Sequence, residues 1–315
     1  MAGRILIVGT RGSALALVQA RRVMARLEGE SETRVVHTSG DRFSAQPLGE
    51  QNPVGFFSKE IEDELLAGKV DLAVHSLKDL PVQRISGLAV AALLMRDDPA
   101  DLLLIRPEAF EPGNGLPLKR GAVVGACSSR RAAMLQRFRP DCMTLPIRGN
   151  VPTRVEKVRR GEFDATLLSR AGLERLGLRA DPLRAFELNP RSWPGAPGQA
   201  VIAVETRKDD AEAIRRVAGL NDPSTEHRAG AERSLLAAFG GGCHAPFGAY
   251  CEVGPGAVLI VVAAPGRDGG FLVERFDGAD LESSRAEAEA WIRSGRTPRE
   301  RSTEEWLCRP ARPWC

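Results

Sequence analysis

Short apolar runs that stop at a glycine, each followed by a capped helix, constrain this chain more than any other feature. Ile5-Leu6-Ile7-Val8 ends at Gly9 and reads as a buried parallel strand. Thr10-Arg11-Gly12-Ser13 forms the turn, and Ser13 caps a helix with a predicted core face of Leu17, Ala20, Met24 and Leu27. The unit returns as Val70-Asp71-Leu72-Ala73-Val74 before a polar heptad, as Val123-Val124 before Gly125, as Leu145-Pro146-Ile147, and as Ala165-Thr166-Leu167-Leu168. Strands alternating with helices give an α/β fold with largely parallel sheets.

Other segments organise the chain around these units. Val35-Val36-His37 reads as a second strand, and the polar, aperiodic stretch 41–52 as a loop of the kind that covers a site. Phe57, Ile61 and Leu65 share one face of a helix that stops at Gly68, and 88–94 is a further strand. Arg96-Asp97-Asp98-Pro99 is a charged turn and hinge, after which the βα pattern begins afresh. Pro194 to Gly198 is a linker, and Ala200 to Glu205 is a strand expected to return to the first sheet. A helix starting at Asp222-Pro223-Ser224 runs through Leu236. Strands at 247–253, 258–263 and 271–276 and a helix at 281–292 form a small α+β unit, and the tail after Gly295 reads as peripheral.

Composition excludes several functional classes. In 315 residues the net charge is only +3, and no long basic run alternates with aromatics, which argues against nucleic acid. Six cysteines without a CxxC and four scattered histidines match neither a disulfide scaffold nor metal-ligand spacing. The start, Met1-Ala2-Gly3-Arg4, lacks a secretory signature and no apolar run reaches membrane-spanning length, so the expectation is a cytoplasmic, reduced protein.

Three constellations carry candidate chemistry. Arg11, Arg130, Arg131, Arg148, Arg154 and Arg175 all lie at or just after strand ends, where open α/β sheets bind ligands. Arginine forks suit carboxylates, so six of them imply a cleft for several carboxylates, against the alternative of scattered solvated side chains. His75-Ser76-Leu77-Lys78-Asp79-Leu80-Pro81 gathers an imidazole, a hydroxyl, a cation and an acid at one strand end. The same heptad also suits a turn whose Lys78 and Asp79 face water as a surface pair. Gly240-Gly241-Gly242-Cys243-His244-Ala245-Pro246 presents one thiol after three glycines. It reads either as a reactive cysteine or as a glycine helix cap followed by an inert one.

In combination and order these motifs resemble the porphobilinogen deaminase (hydroxymethylbilane synthase) family across nearly the whole chain. The resemblance rests on Gly9 to Ser13, Phe57 to Glu60, His75 to Pro81, Ser128 with Arg130-Arg131, and Arg148-Gly149-Asn150-Val151. Ala171 to Leu178, Pro197-Gly198-Gln199, Ala231-Glu232-Arg233 and Gly241-Gly242-Cys243 complete it.

The resemblance implies two periplasmic-binding-protein-like βα lobes with a central cleft and a small C-terminal α+β domain. The implied boundaries are 1–97 with 198–217, 98–197, and 218–315. It implies a dipyrromethane cofactor in thioether linkage to Cys243, on which four porphobilinogen units are deaminated and polymerised before hydrolysis releases hydroxymethylbilane. Asp79 matches the catalytic acid of the family. Arg11, Ser13, Ser76, Lys78, Ser128, Arg130, Arg131, Arg148, Gly149, Asn150, Arg154, Arg175, Gly198 and Gln199 match positions that bind cofactor or substrate. No metal, nucleic acid or membrane is implied, and the family leans monomeric.

The chain departs from the family pattern in three places. Pro53-Val54-Gly55 replaces the usual Gly-Lys-Gly, Ala126-Cys127-Ser128-Ser129 replaces Thr-Ser-Ser-Leu, and Ala200 replaces a glycine. Two other classes compete: a non-catalytic two-lobed protein that captures a small carboxylate, and a Cys-dependent acyl transferase, which needs a base near Cys243 that the adjacent His244 is poorly directed to supply.

Overall fold

The structure, a computed structural model, describes residues 4–38, 58–113, 115–242, 245–298 and 307–312. In chain order it builds β1 (Leu6–Arg11), α1 (Ala14–Met24), β2 (Ser31–Val36), α2 (Lys59–Leu66), β3 (Leu72–Ser76) and β4 (Leu88–Leu93). Next come β5 (Asp101–Ile105), β6 (Val123–Gly125), α3 (Ser129–Phe138), β7 (Met143–Leu145), α4 (Val151–Arg159), β8 (Ala165–Ser169), α5 (Arg170–Arg175) and β9 (Arg184–Leu188). The chain closes with β10 (Ile202–Arg207), α6 (Ala211–Ala218), α7 (Pro223–Phe239), β11 (Gly248–Gly254), β12 (Ala257–Pro265), β13 (Phe271–Gly278), α8 (Leu281–Ser294) and β14 (Cys308–Pro310). Two compact units result: Met1–Asp97 with Gln199–His227, and Asp98–Gly198 with Arg228–Cys315.

The first unit holds a five-stranded sheet in the order β2-β1-β3-β10-β4. β1 runs parallel to β2 and β3, whereas β10 is antiparallel to β3 and β4. β10 therefore does return to the first sheet, as its sequence suggested. One face packs α1 through Ala20 and Val23 against Leu72, Val74 and Val204. The other packs α2 through Ile61 and Leu65 against Val70, Ala73 and Leu88. The buried side of α1 is Ala16, Gln19, Ala20 and Val23, so the predicted face is rotated: Leu17 is only half-buried, and Met24 and Leu27 flank the core. Small residues let the helix approach the sheet closely, and Gln19 is buried because it finds a partner there. Phe57 and the loop expected at 41–52 lie outside the described residues, as does Pro53-Val54-Gly55.

The second unit repeats the plan. Its six-stranded sheet runs β14-β9-β5-β8-β6-β7, with β6 parallel to β7 and β8, and β5 antiparallel to β8 and β9. In each sheet a strand that runs against its neighbours on both sides, β10 or β5, is the first strand after the chain crosses between units. A strand entering from the other unit runs against those wound by βα crossovers. These two matching sheets are the α/β lobes that the resemblance implies. β11, β12 and β13 form an antiparallel meander covered by α8, and Ala263, Phe271 and Val273 join the core around Trp193.

The structure corrects two sequence expectations. Residues 101–105, unassigned beyond the charged turn, form the central β5, fully buried along its length. The tail is not wholly peripheral, because β14 pairs with β9 and Arg309 bridges to Glu187 at 2.7 Å.

Candidate functional site

In the first unit the candidate residues gather at the C-terminal ends of two neighbouring parallel strands. Val8 pairs with Leu72 and Gly9 with Ala73, so the turn after β1 and the turn after β3 emerge at the same sheet edge. Ser13 caps α1 as predicted, its Oγ accepting from Ala16 N at 3.2 Å. Arg11 ends β1 beside this helix N-terminus, where backbone donors and the helix dipole favour an anion.

β3 passes at once into a 3₁₀ turn, Leu77–Asp79. Leu77 and Leu80 are buried, and Leu77 N donates to Val201 O at 3.0 Å. Pinned on either side, the turn leaves Lys78 and Asp79 half-exposed. Ser76 Oγ accepts a 2.8 Å bond from the amide of Gln19, a buried residue of α1. Gln19 is a site residue the sequence reading missed. Its signal was a polar side chain at helical spacing from Ala16 and Val23 on the core face.

The second unit presents the larger cationic group. Ser128 caps α3 and Asn150 caps α4, so two helix N-termini follow the ends of β6 and β7. Asn150 Oδ1 accepts from Thr153 N at 3.0 Å and from Thr153 Oγ1 at 2.8 Å. Gly149 has φ +107, and a Cβ there would stand 2.7 Å from Thr153 Cγ2, so only glycine fits the approach. Arg154 Nε donates to Gly149 O at 2.8 Å, which folds its guanidinium back over the turn. Burial, then the nearby Arg131 and Arg148, push the Arg154 guanidinium below its ordinary pKa, with the Cys127 thiol acting the other way. Cys127 itself donates to Ile147 O. Like charges this near to Arg154 repel it.

The adjacent arginines divide their roles. Both point to Asp101, a fully buried carboxylate on β5: Arg130 reaches Oδ2 at 2.8 Å and Arg131 reaches Oδ1 at 2.6 Å. Arg130 also donates to Pro194 O at 2.9 Å and is 3% exposed, so its guanidinium serves the interior. The sequence reading had carboxylates of a bound ligand meet both arginines. Within the fold the group that does so is Asp101, which that reading overlooked along with β5. Arg175 ends α5 and is buried. Gly198 and Gln199 are interior as well, and Gly198 N donates to Glu232 Oε2 at 2.8 Å.

Cys243 and His244 lie outside the described residues. The frame around them is described. α7 ends at Phe239, and Gly240 takes φ +74, the left-handed helix cap that its sequence suggested. The rings of Phe239 and Phe247 stand 4.9 Å apart. Gly241 sits where a Cβ would come within 2.6 Å of Ala245 Cβ. Among the described residues no helix is long and apolar enough to cross a membrane.

Comparison with known proteins agrees with this layout. A family model described as porphobilinogen deaminase, dipyromethane cofactor binding domain, matches residues 6–215. A porphobilinogen deaminase of Lachnospira eligens is 39% identical over 290 residues, covering 89% of this chain and 96% of the relative. One of Syntrophobacter fumaroxidans is 39% identical over 300 residues, 93% of this chain and 92% of the relative. One of Nitrobacter hamburgensis is 44% identical over 253 residues, 78% of each. With matches of this depth along most of its length, and with the family's motifs seated at the strand ends just described, this chain belongs to the porphobilinogen deaminase family of transferases.

Proposed function

We propose that this protein condenses four porphobilinogen molecules head to tail, each losing ammonia, on a dipyrromethane held by Cys243, and releases hydroxymethylbilane by hydrolysis. Bound dipyrromethane supplies the free pyrrole carbon from which the chain is extended. The observation that carries the reading is the cluster of Arg131, Arg148 and Arg154 at the N-termini of α3 and α4, whose charge is not balanced by Asp101, the one carboxylate that Arg131 shares with Arg130, so that further anions are favoured there. The acetate and propionate side chains of pyrroles supply them, since planar guanidinium forks bind carboxylates bidentately.

The residues divide the work by charge. Arg131, Arg148 and Arg154, with the capping Ser128 and Asn150 and the open backbone of Gly149, hold carboxylates of cofactor and substrate. Arg11, Ser13, Ser76 and Lys78 do so at the first sheet edge, and Arg175 and the Gly198-Gln199 segment complete the set. Asp79 supplies the carboxylate that stabilises the cationic pyrrole formed as ammonia leaves, a role that strengthens as water is excluded. Cys243 is the attachment point, and 218–315 forms the domain that carries it.

Intact-protein mass and Ehrlich staining test the reading. The wild type is expected to carry the mass of two pyrrole units, absent from Cys243→Ser. Asp79→Asn is expected to keep the adduct and to turn over at least about 100-fold more slowly. A wild-type protein of unmodified mass, giving no Ehrlich colour and no turnover of porphobilinogen, overturns it in favour of a binding protein without chemistry.

A further inference from the structure

Beneath the Asp79 turn lies a buried group of ionisable residues that the chemistry above leaves unused. Glu205 on β10 is 1% exposed. Its Oε2 stands 3.3 Å from His75 Nε2, and its Oε1 accepts from Arg84 Nη1 at 3.1 Å. The register explains the first contact. His75 lies opposite Ala203 and Glu205 opposite Ala73, so the two are diagonal neighbours on one face of the β3–β10 pair. Glu62 of α2, 3% exposed, accepts from Ser58 Oγ at 3.0 Å on the same side of the sheet.

The charges in this group are divided. Burial, then Glu205, raise the Glu62 carboxyl above the ordinary range, while the Ser58 hydroxyl, His75 and Arg84 oppose the shift. Of the two carboxylates, Glu205 is the one bonded to Arg84.

The sequence positions give the cluster its meaning. His75 immediately precedes Ser76 and the Leu77–Asp79 turn, and Arg84 follows it. One buried carboxylate therefore lies against His75 before the candidate catalytic residue and accepts a hydrogen bond from Arg84 after it. We propose that Glu205 is a positioning residue for Asp79, holding the turn through its hydrogen bond to Arg84 after it and its close packing on His75 before it. This rests on the reading of Asp79 given above. Glu205 touches neither substrate nor cofactor in this role. It fixes where the Asp79 carboxylate stands, and small misplacements of a catalytic group cost rate more than binding.

The test is steady-state turnover of porphobilinogen by cofactor-loaded Glu205→Gln, Arg84→Met and their double variant, beside Asp79→Asn. Glu205→Gln keeps the shape and removes the charge. Arg84→Met removes the other end of the clamp at a partly exposed side chain, so it serves where Glu205→Gln fails to fold. Each single variant is expected to lower kcat about tenfold or more with KM within about threefold. The double variant is expected to match the worse single, since both cut one linkage. Folded, loaded Arg84→Met or Glu205→Gln with wild-type kcat, or with its loss carried by KM alone, overturns the proposal. Full turnover by Asp79→Asn refutes instead the assignment of Asp79, whatever the clamp variants do.

Discussion

The indole Nε1 of Trp193 donates to Asp101 Oδ2 at 3.2 Å, although 92 positions separate the two residues. With Arg130 and Arg131, this bond satisfies a carboxylate that has no contact with water. Burial alone raises the Asp101 carboxyl, but the two guanidiniums outweigh it and hold the group well below the usual carboxylate range. The acid at the start of β5 is thereby joined to α3 and to the segment leading back to the first unit.

Asp101→Asn removes the charge and leaves two guanidiniums buried without a counter-ion, which costs about 3–5 kcal/mol. Because the folded-state pKa is depressed, the stabilisation is present above the unfolded value of about 3.9 and is lost as pH falls below it. Denaturant unfolding followed by Trp fluorescence is expected to show wild-type stability falling below about pH 4, with Asp101→Asn lower at neutral pH and flatter across the acid range. Equal stability of the two proteins at neutral pH would count against the triad as a structural centre.

Arg154 presents the opposite case, a cation held near two others. Arg154→Met relieves repulsion and desolvation but loses the bond to Gly149 O. These opposing changes leave stability within about 1 kcal/mol of wild type. Affinity for a polycarboxylate is expected to suffer: KM for porphobilinogen rises about tenfold or more as a charge-assisted contact is lost. Thermal unfolding and initial rates check both halves. An unchanged KM with a large loss of stability would make Arg154 a structural residue.

Ala200 occupies φ +70 where the family has glycine. It is buried, and its carbonyl accepts from Asp97 N at 3.2 Å, while Arg96 Nε donates to Gln199 O at 2.9 Å. The two stretches that cross between units are thus bonded to each other within the first. A left-handed alanine costs about 1–2 kcal/mol, and glycine returns part of that through the entropy of the unfolded chain. Ala200→Gly is expected to raise stability by about 0.5–1 kcal/mol in thermal unfolding. A fall would mean that the Ala200 methyl contributes more by packing than its backbone loses.

Local signals in the sequence determined the βα units. Ile5 to Gly9 followed by Ser13, and Asn150 with Pro152, carry their own strand ends and helix caps, and each stands where it was expected. The same signals placed Arg11, Arg148 and Asp79 at or just beyond strand ends and Arg130, Arg131 and Arg154 in the first turns of the helices that follow, whereas Arg175 lies a whole helix on, at the end of α5. Tertiary structure decided what those side chains meet. β5 follows a charged turn but leads into no capped α-helix, and the three-residue β14, with a proline, exists only as an edge beside β9. Whether Arg130 faces a ligand or Asp101, and whether Glu205 is one more strand residue or the anchor of the Asp79 turn, depends on pairings between distant segments. Local propensity carries no record of those pairings, since burial and partner are properties of the packed chain.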